Sequence, residues 1–116
     1  MKTFSNQRGN LTVIEKEMPF DIRRMFYIYG VDDSVRGGHR HHQTRQAAMC
    51  VAGKCIVSCN NGHSKEEFVL DHPGICLIIE PEDYHTMHHF TADAVLFVIA
   101  SELFDPNDYI YEDYPS

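Results

Sequence analysis

Apolar residues fall in short runs along this chain, and turn residues interrupt them at close intervals. Residues 11–14 (LTVI) and 22–29 (IRRMFYIY) read as strands, the second rich in the aromatic and β-branched types that suit a pleated surface. Residues 47–52 and 54–59 read as strands on either side of Gly53. Asn60-Asn61-Gly62 then marks a hairpin turn, because Asn and Gly adopt positive φ at little cost. Residues 67–70, 75–80, 84–90 and 94–100 continue the series, separated by His72-Pro73-Gly74, Pro81-Glu82-Asp83 and Thr91-Ala92-Asp93. Eight short strands at this spacing predict an all-β sandwich or barrel. A helical turn is expected only around residues 106–109. There is no internal repeat, low-complexity segment or linker, so residues 1–116 read as a single domain.

Composition fits that picture, with 43% hydrophobic and 23% charged residues. The formal charge of −7 argues against a nucleic-acid surface, which needs clustered Lys and Arg. Much of the acid (Glu102, Asp105, Asp108, Glu112 and Asp113) lies late in the chain and reads as solvated surface. No apolar run approaches the roughly 20 residues of a membrane span, and the opening MKTFSNQRGN lacks the apolar region of a signal peptide. The expected location is therefore cytoplasmic, with no membrane partner. In that compartment Cys50, Cys55, Cys59 and Cys76 are expected to be free thiols, and no Cys-x-x-Cys pair suggests a structural zinc site.

The chemistry concentrates in residues 36–46, RGGHRHHQTRQ. Histidine titrates near neutral pH and is also the commonest metal ligand. On a strand, His39 and His41 share one face and His42 takes the other. Two imidazoles on one face suit an acid–base pair. Arg36 offers a fixed charge for a phosphate, a carboxylate or developing negative charge. Tyr27 and Tyr29 also share a face, so both hydroxyls could look into a barrel. Arg23 and Arg24 flank them, and one could reach a phosphate.

The spacing Gly38-His39-x-His41-x4-Gln46-x6-Gly53 resembles the first motif of the cupin superfamily, a small jelly-roll barrel. Metal-binding cupins usually have a glutamate ligand where this chain has Gln46. Residues 81–85 (PEDYH) resemble the second motif, with His85 one residue early, so that its side chain could take either face. Four stretches resemble the WxcM-like nucleotide-sugar 3,4-ketoisomerases more closely. They are residues 8–13 (RGNLTV), 22–29 (IRRMFYIY), 36–41 (RGGHRH) and 100–110 (ASELFDPNDYI), collinear over nearly the whole chain.

The resemblance implies a cupin-type jelly roll, no metal or other cofactor, and a homodimer whose interface includes the N-terminal strands. It also implies isomerisation of a nucleotide-linked, dTDP-type 4-keto-6-deoxy sugar for surface-polysaccharide synthesis. On this reading His39, His41 and Tyr27 are catalytic, and Arg36, Tyr29, Arg23, Gln46 and His85 bind substrate. The chain departs from the family at Arg40, His42, Tyr84 and Tyr111, which leaves the particular nucleotide sugar open. A metal-dependent small-molecule cupin and a non-catalytic sugar- or nucleotide-binding cupin are the alternatives.

Overall fold

The structure, a computed structural model, describes residues 1–115. Eleven strands follow in chain order: β1 (Lys2–Asn6), β2 (Gly9–Val13), β3 (Arg24–Tyr29), β4 (Arg36–His41), β5 (Gln46–Ala52), β6 (Cys55–Asn60), β7 (Lys65–Leu70), β8 (Leu77–Ile79), β9 (Tyr84–His88), β10 (Val95–Ala100) and β11 (Tyr109–Ile110). A single 3₁₀ turn, Pro106–Asp108, precedes β11. Its start is set by Asp105, whose carboxylate accepts from the Asn107 N–H, with Pro106 at the position where no amide donor is needed. Among the described residues no helix is long and apolar enough to cross a membrane.

Two antiparallel sheets face each other in a cupin-type jelly roll. One runs β3-β10-β5-β8 and the other β11-β4-β9-β6-β7, while β1 and β2 form a separate hairpin. Inward residues of both sheets share one core: Ala48, Leu96 and Val98 from the first meet Val57, Leu70 and Met87 from the second. Strand β5 is buried on both faces, so its sequence QAAMCVA does not alternate. Its outward Ala47 and Met49, with Ile99 of β10, are covered by Ile14, Met18 and Phe20 from the segment linking β2 to β3. Cys50 and Cys55 are buried, and all four cysteines are free thiols.

The Asn-Gly turn sits in a four-residue loop between β6 and β7. There the Asn61 carboxamide oxygen accepts from the N–H groups of His63 and Ser64, each at 2.8 Å. Strand β4 carries a bulge between Gly37 and His39. Gly37 and Gly38 there have φ of +80° and +84°. A Cβ on Gly37 would lie 2.9 Å from both the His85 carbonyl oxygen and the Met87 sulfur, so no side chain fits.

Candidate active site

Cross-strand register assembles the site at one end of the barrel. His39 on β4 is opposite His85 on β9, which is opposite Cys59 on β6. The bulge restores the phase of β4 after Gly37, so His39 and His41 point inward beside His85. Ring centres lie 5.0 Å apart for His39 and His41 and 4.8 Å apart for His39 and His85. The early position of His85 leaves its face open in the sequence, and the structure turns it inward. His85 alternates with inward Met87 on β9 and is only 1% exposed.

A carboxylate fixes His41. Asp108, at the end of the 3₁₀ turn, lies 3.0 Å from His41 Nδ1. It also accepts from the Gln43 N–H at 2.7 Å, from the Thr44 N–H and from the Thr44 hydroxyl. The reading of Asp108 as solvated surface is therefore wrong: the carboxylate is buried among donors that the β4–β5 loop turns toward it. Burial pushes its pKa up, but the bonds from Thr44, Gln43 and His41 together outweigh this and hold it below the ordinary value. The ionised carboxylate accepts, so His41 Nδ1 carries the proton and Nε2 is left with its lone pair. That Nε2 is buried and has no hydrogen-bond partner.

Burial keeps the imidazoles neutral. Desolvation, then the neighbouring His85 and His41, pull the His39 pKa down to about 4. His85 is likewise pulled down to about 4, first by burial, although its Nδ1 donates to the Asp83 carbonyl at 3.0 Å. His41 is lowered by burial too, with Asp108 opposing and the charge of Arg24 adding to the shift. Tyr109 on β11 places its ring 4.7 Å from both His39 and His41, and Tyr111 stacks on Tyr109 at 6.0 Å.

The opposite sheet contributes polar groups at the same end. Arg24, Ala100, Gln46 and Ile79 form one cross-strand row. Gln46 is buried on the inward face, in phase with Ala48 and Cys50. The next row, Phe26, Val98, Ala48 and Leu77, is apolar and forms the floor. The site is thus a polar mouth above a hydrophobic base. Donor nitrogens of His39, His41 and His85 all lie within 4.8 Å of one another, a set that could also hold a transition metal.

Two other expectations are corrected. Tyr27 and Tyr29 do share a face, but it is the outer one, because Phe26 and Ile28 take the inward positions of β3. They are 63% and 68% exposed and stack on each other at 5.8 Å. Arg23 also points outward, where it pairs with Glu102 at 3.8 Å; Arg24, one residue on, is the arginine that faces the histidines. Arg36 is exposed and lines a shallow pocket of about 320 Å³ with Tyr29, Asp32 and Ser34. Asp108 and Tyr109 were not singled out as site residues. The signal for them was the 100–110 stretch itself, which placed an Asp-Tyr pair beside a turn.

A jelly roll with clustered neutral imidazoles, one oriented by a buried carboxylate, defines a cupin whose side chains suit acid–base chemistry. The chain belongs to the FdtA family (WxcM-like, C-terminal), whose model matches residues 1–115. It is 38% identical over 112 residues to the TDP-4-oxo-6-deoxy-α-D-glucose-3,4-oxoisomerase of Aneurinibacillus thermoaerophilus, covering 94% of this chain and 81% of that one. Among solved structures, a 3,4-ketoisomerase from Helicobacter canadensis is 33% identical with a TM-score of 0.91, over 96% of this chain and 86% of that one. A mutant of the 3,4-ketoisomerase QdtA from Thermoanaerobacterium thermosaccharolyticum, in complex with TDP-4-keto-6-deoxyglucose, is 35% identical with a TM-score of 0.92, over 96% and 83%.

Proposed function

We propose that this chain is a sugar-nucleotide 3,4-ketoisomerase, moving the keto group between C4 and C3 of a TDP-linked 4-keto-6-deoxy sugar. The observation that carries the reading is the bare, buried Nε2 of His41, held by Asp108 beside a second neutral imidazole. A neutral imidazole accepts the C3 proton; the C–H electron pair forms a C3=C4 double bond, and the carbonyl pair moves to O4. Transfer of the O3 proton to O4 and return of a proton to C4 complete the exchange. No oxidant or cofactor enters the balance. His41 is the base and His39 moves protons between the oxygens. Gln46 and His85 line the sugar pocket, and Arg36, exposed at the start of β4, is the candidate to hold the diphosphate. The relatives crystallised with TDP and with the TDP-keto sugar support this choice of substrate.

The molecule works as a homodimer on this reading. The outer face of the four-stranded sheet continues past its covered part as exposed Met25, Tyr27 and Tyr29, and the β1–β2 hairpin carries exposed Phe4 and Leu11. These apolar surfaces suit burial against a second copy.

The deciding experiment is incubation with TDP-4-keto-6-deoxyglucose in D₂O, followed by NMR of the sugar and metal analysis of the same protein. The expected product is the 3-keto isomer with deuterium at C4. Unchanged substrate would refute the activity. Stoichiometric metal on the three histidines, with turnover abolished by chelation, would favour the metal-dependent alternative that their spacing also permits.

A further inference from the structure

One charged side chain at the mouth of the barrel has no counter-charge. Arg24 begins β3 on its inward face, in phase with Phe26 and Ile28. Its guanidinium carbon lies 5.2 Å from the centre of the Phe26 ring and 5.7 Å from that of Phe104. Its Nε is buried without a hydrogen-bond acceptor. Among the described residues no carboxylate lies within ion-pair distance of it, Glu102 being taken by the adjacent Arg23. Only the small side chain of Ala100 separates it from Gln46 along the row. Its charge reaches both reactive imidazoles, since it contributes to lowering His39 and His41.

Keeping a guanidinium partly desolvated and unpaired is costly, and two aromatic rings offset only part of that cost. Such a group is suited to an anion that arrives with the substrate or forms during the reaction. Two anions are available: the diphosphate and the oxyanion of the enediolate. The diphosphate suits Arg36, which is exposed at the start of β4 and lines a shallow surface pocket. Arg24 instead lies within electrostatic reach of the proton-transfer groups, above the apolar floor.

We propose that Arg24 is a catalytic residue that binds the sugar oxygen on which negative charge develops, a role that rests on the ketoisomerase reading. When the C3 proton passes to an imidazole, the electron pair displaced from the C4 carbonyl settles on O4. The guanidinium N–H groups donate to that oxygen until it takes up the proton from O3. The arginine therefore binds the intermediate more tightly than the ketone, which places its effect on kcat.

The test compares wild type, Arg24→Gln, Arg24→Lys and Arg24→Ala by kcat and KM on TDP-4-keto-6-deoxyglucose, by titration with TDP, and by thermal unfolding. Arg24→Gln should lose about 10²-fold or more in kcat, as expected for a lost oxyanion donor, with TDP affinity nearly unchanged. Arg24→Lys, which keeps the charge but not the planar fork, should fall between them. Guanidinium ion added to Arg24→Ala should restore part of its turnover. An Arg24→Gln variant with near-wild-type kcat, or one whose loss is confined to TDP affinity, overturns the assignment. If the glutamine variant does not fold, the lysine variant decides, and wild-type kcat in it overturns the assignment. A wild type that binds TDP without turning over the sugar refutes the ketoisomerase reading and this role with it. An active wild type with an equally active Arg24→Gln refutes only the role of Arg24.

Discussion

His41 has a hydrogen bond at one ring nitrogen and none at the other, and that asymmetry fixes its tautomer. Asparagine at position 41 cannot titrate in the working range, so His41→Asn should lower kcat by about 10²-fold or more while TDP titration stays near wild type. Asp108→Asn should lower kcat by a comparable factor, about 10² or more, because an amide can donate to Nδ1 and leave Nε2 protonated. Tyr27→Phe should leave kcat nearly unchanged, since that hydroxyl lies on the outer face. The lowered histidines also set a pH dependence of stability. An unfolded histidine binds its proton below about 6.5, whereas folded His39 and His85 bind theirs only near 4. Between these values the unfolded chain holds more protons, so stability falls as pH drops from about 6.5 to 4. Unfolding melts across that window should show the decline, and His85→Gln should flatten it.

At the scale of elements, the bulge in β4 governs which side chains meet. Gly37→Ala forces a left-handed φ on alanine and drives a methyl into β9, so it should cost about 1–3 kcal/mol and displace His39 from His85. Chemical denaturation reads the cost, and kcat should drop with it. Most strands were legible because their apolar runs were bounded by Gly, Pro and Asn. Strand β1 was missed because KTFSN is exposed throughout, and β11 because it spans only two residues. Alternation placed Tyr27 and Tyr29 together but could not say on which face. That was decided by Phe26 and Ile28, the more apolar pair. The two histidines of the signature were legible from spacing. His85 was placed in the site by the resemblance, but its direction was not legible, because it depends on the register of β9 against a bulged partner. Asp108 lies 67 residues from the ring it orients, a separation that no local pattern encodes.

For the whole molecule, the exposed stripe of Met25, Tyr27 and Tyr29 bears on assembly. A carboxylate in that stripe would be desolvated by a partner, so Tyr27→Glu should shift the protein toward monomer in sedimentation velocity while leaving its circular dichroism unchanged. Substrate binding should act on global stability. TDP at about 100 times its dissociation constant adds about 2.7 kcal/mol to a native state that alone binds it, visible as a rise in Tm. No rise with excess TDP would count against the nucleotide site.

The bond between His41 and Asp108 also orders events in time. Translation at 5–20 residues per second puts roughly 3 to 13 s between the two residues. During that interval a nascent chain holds the His41 ring without the carboxylate that sets its tautomer. Strand β11, which pairs with β4 through Tyr109 and His41, follows Asp108 directly. The same late segment therefore closes the sheet edge and completes the bond that sets the tautomer of the proposed base.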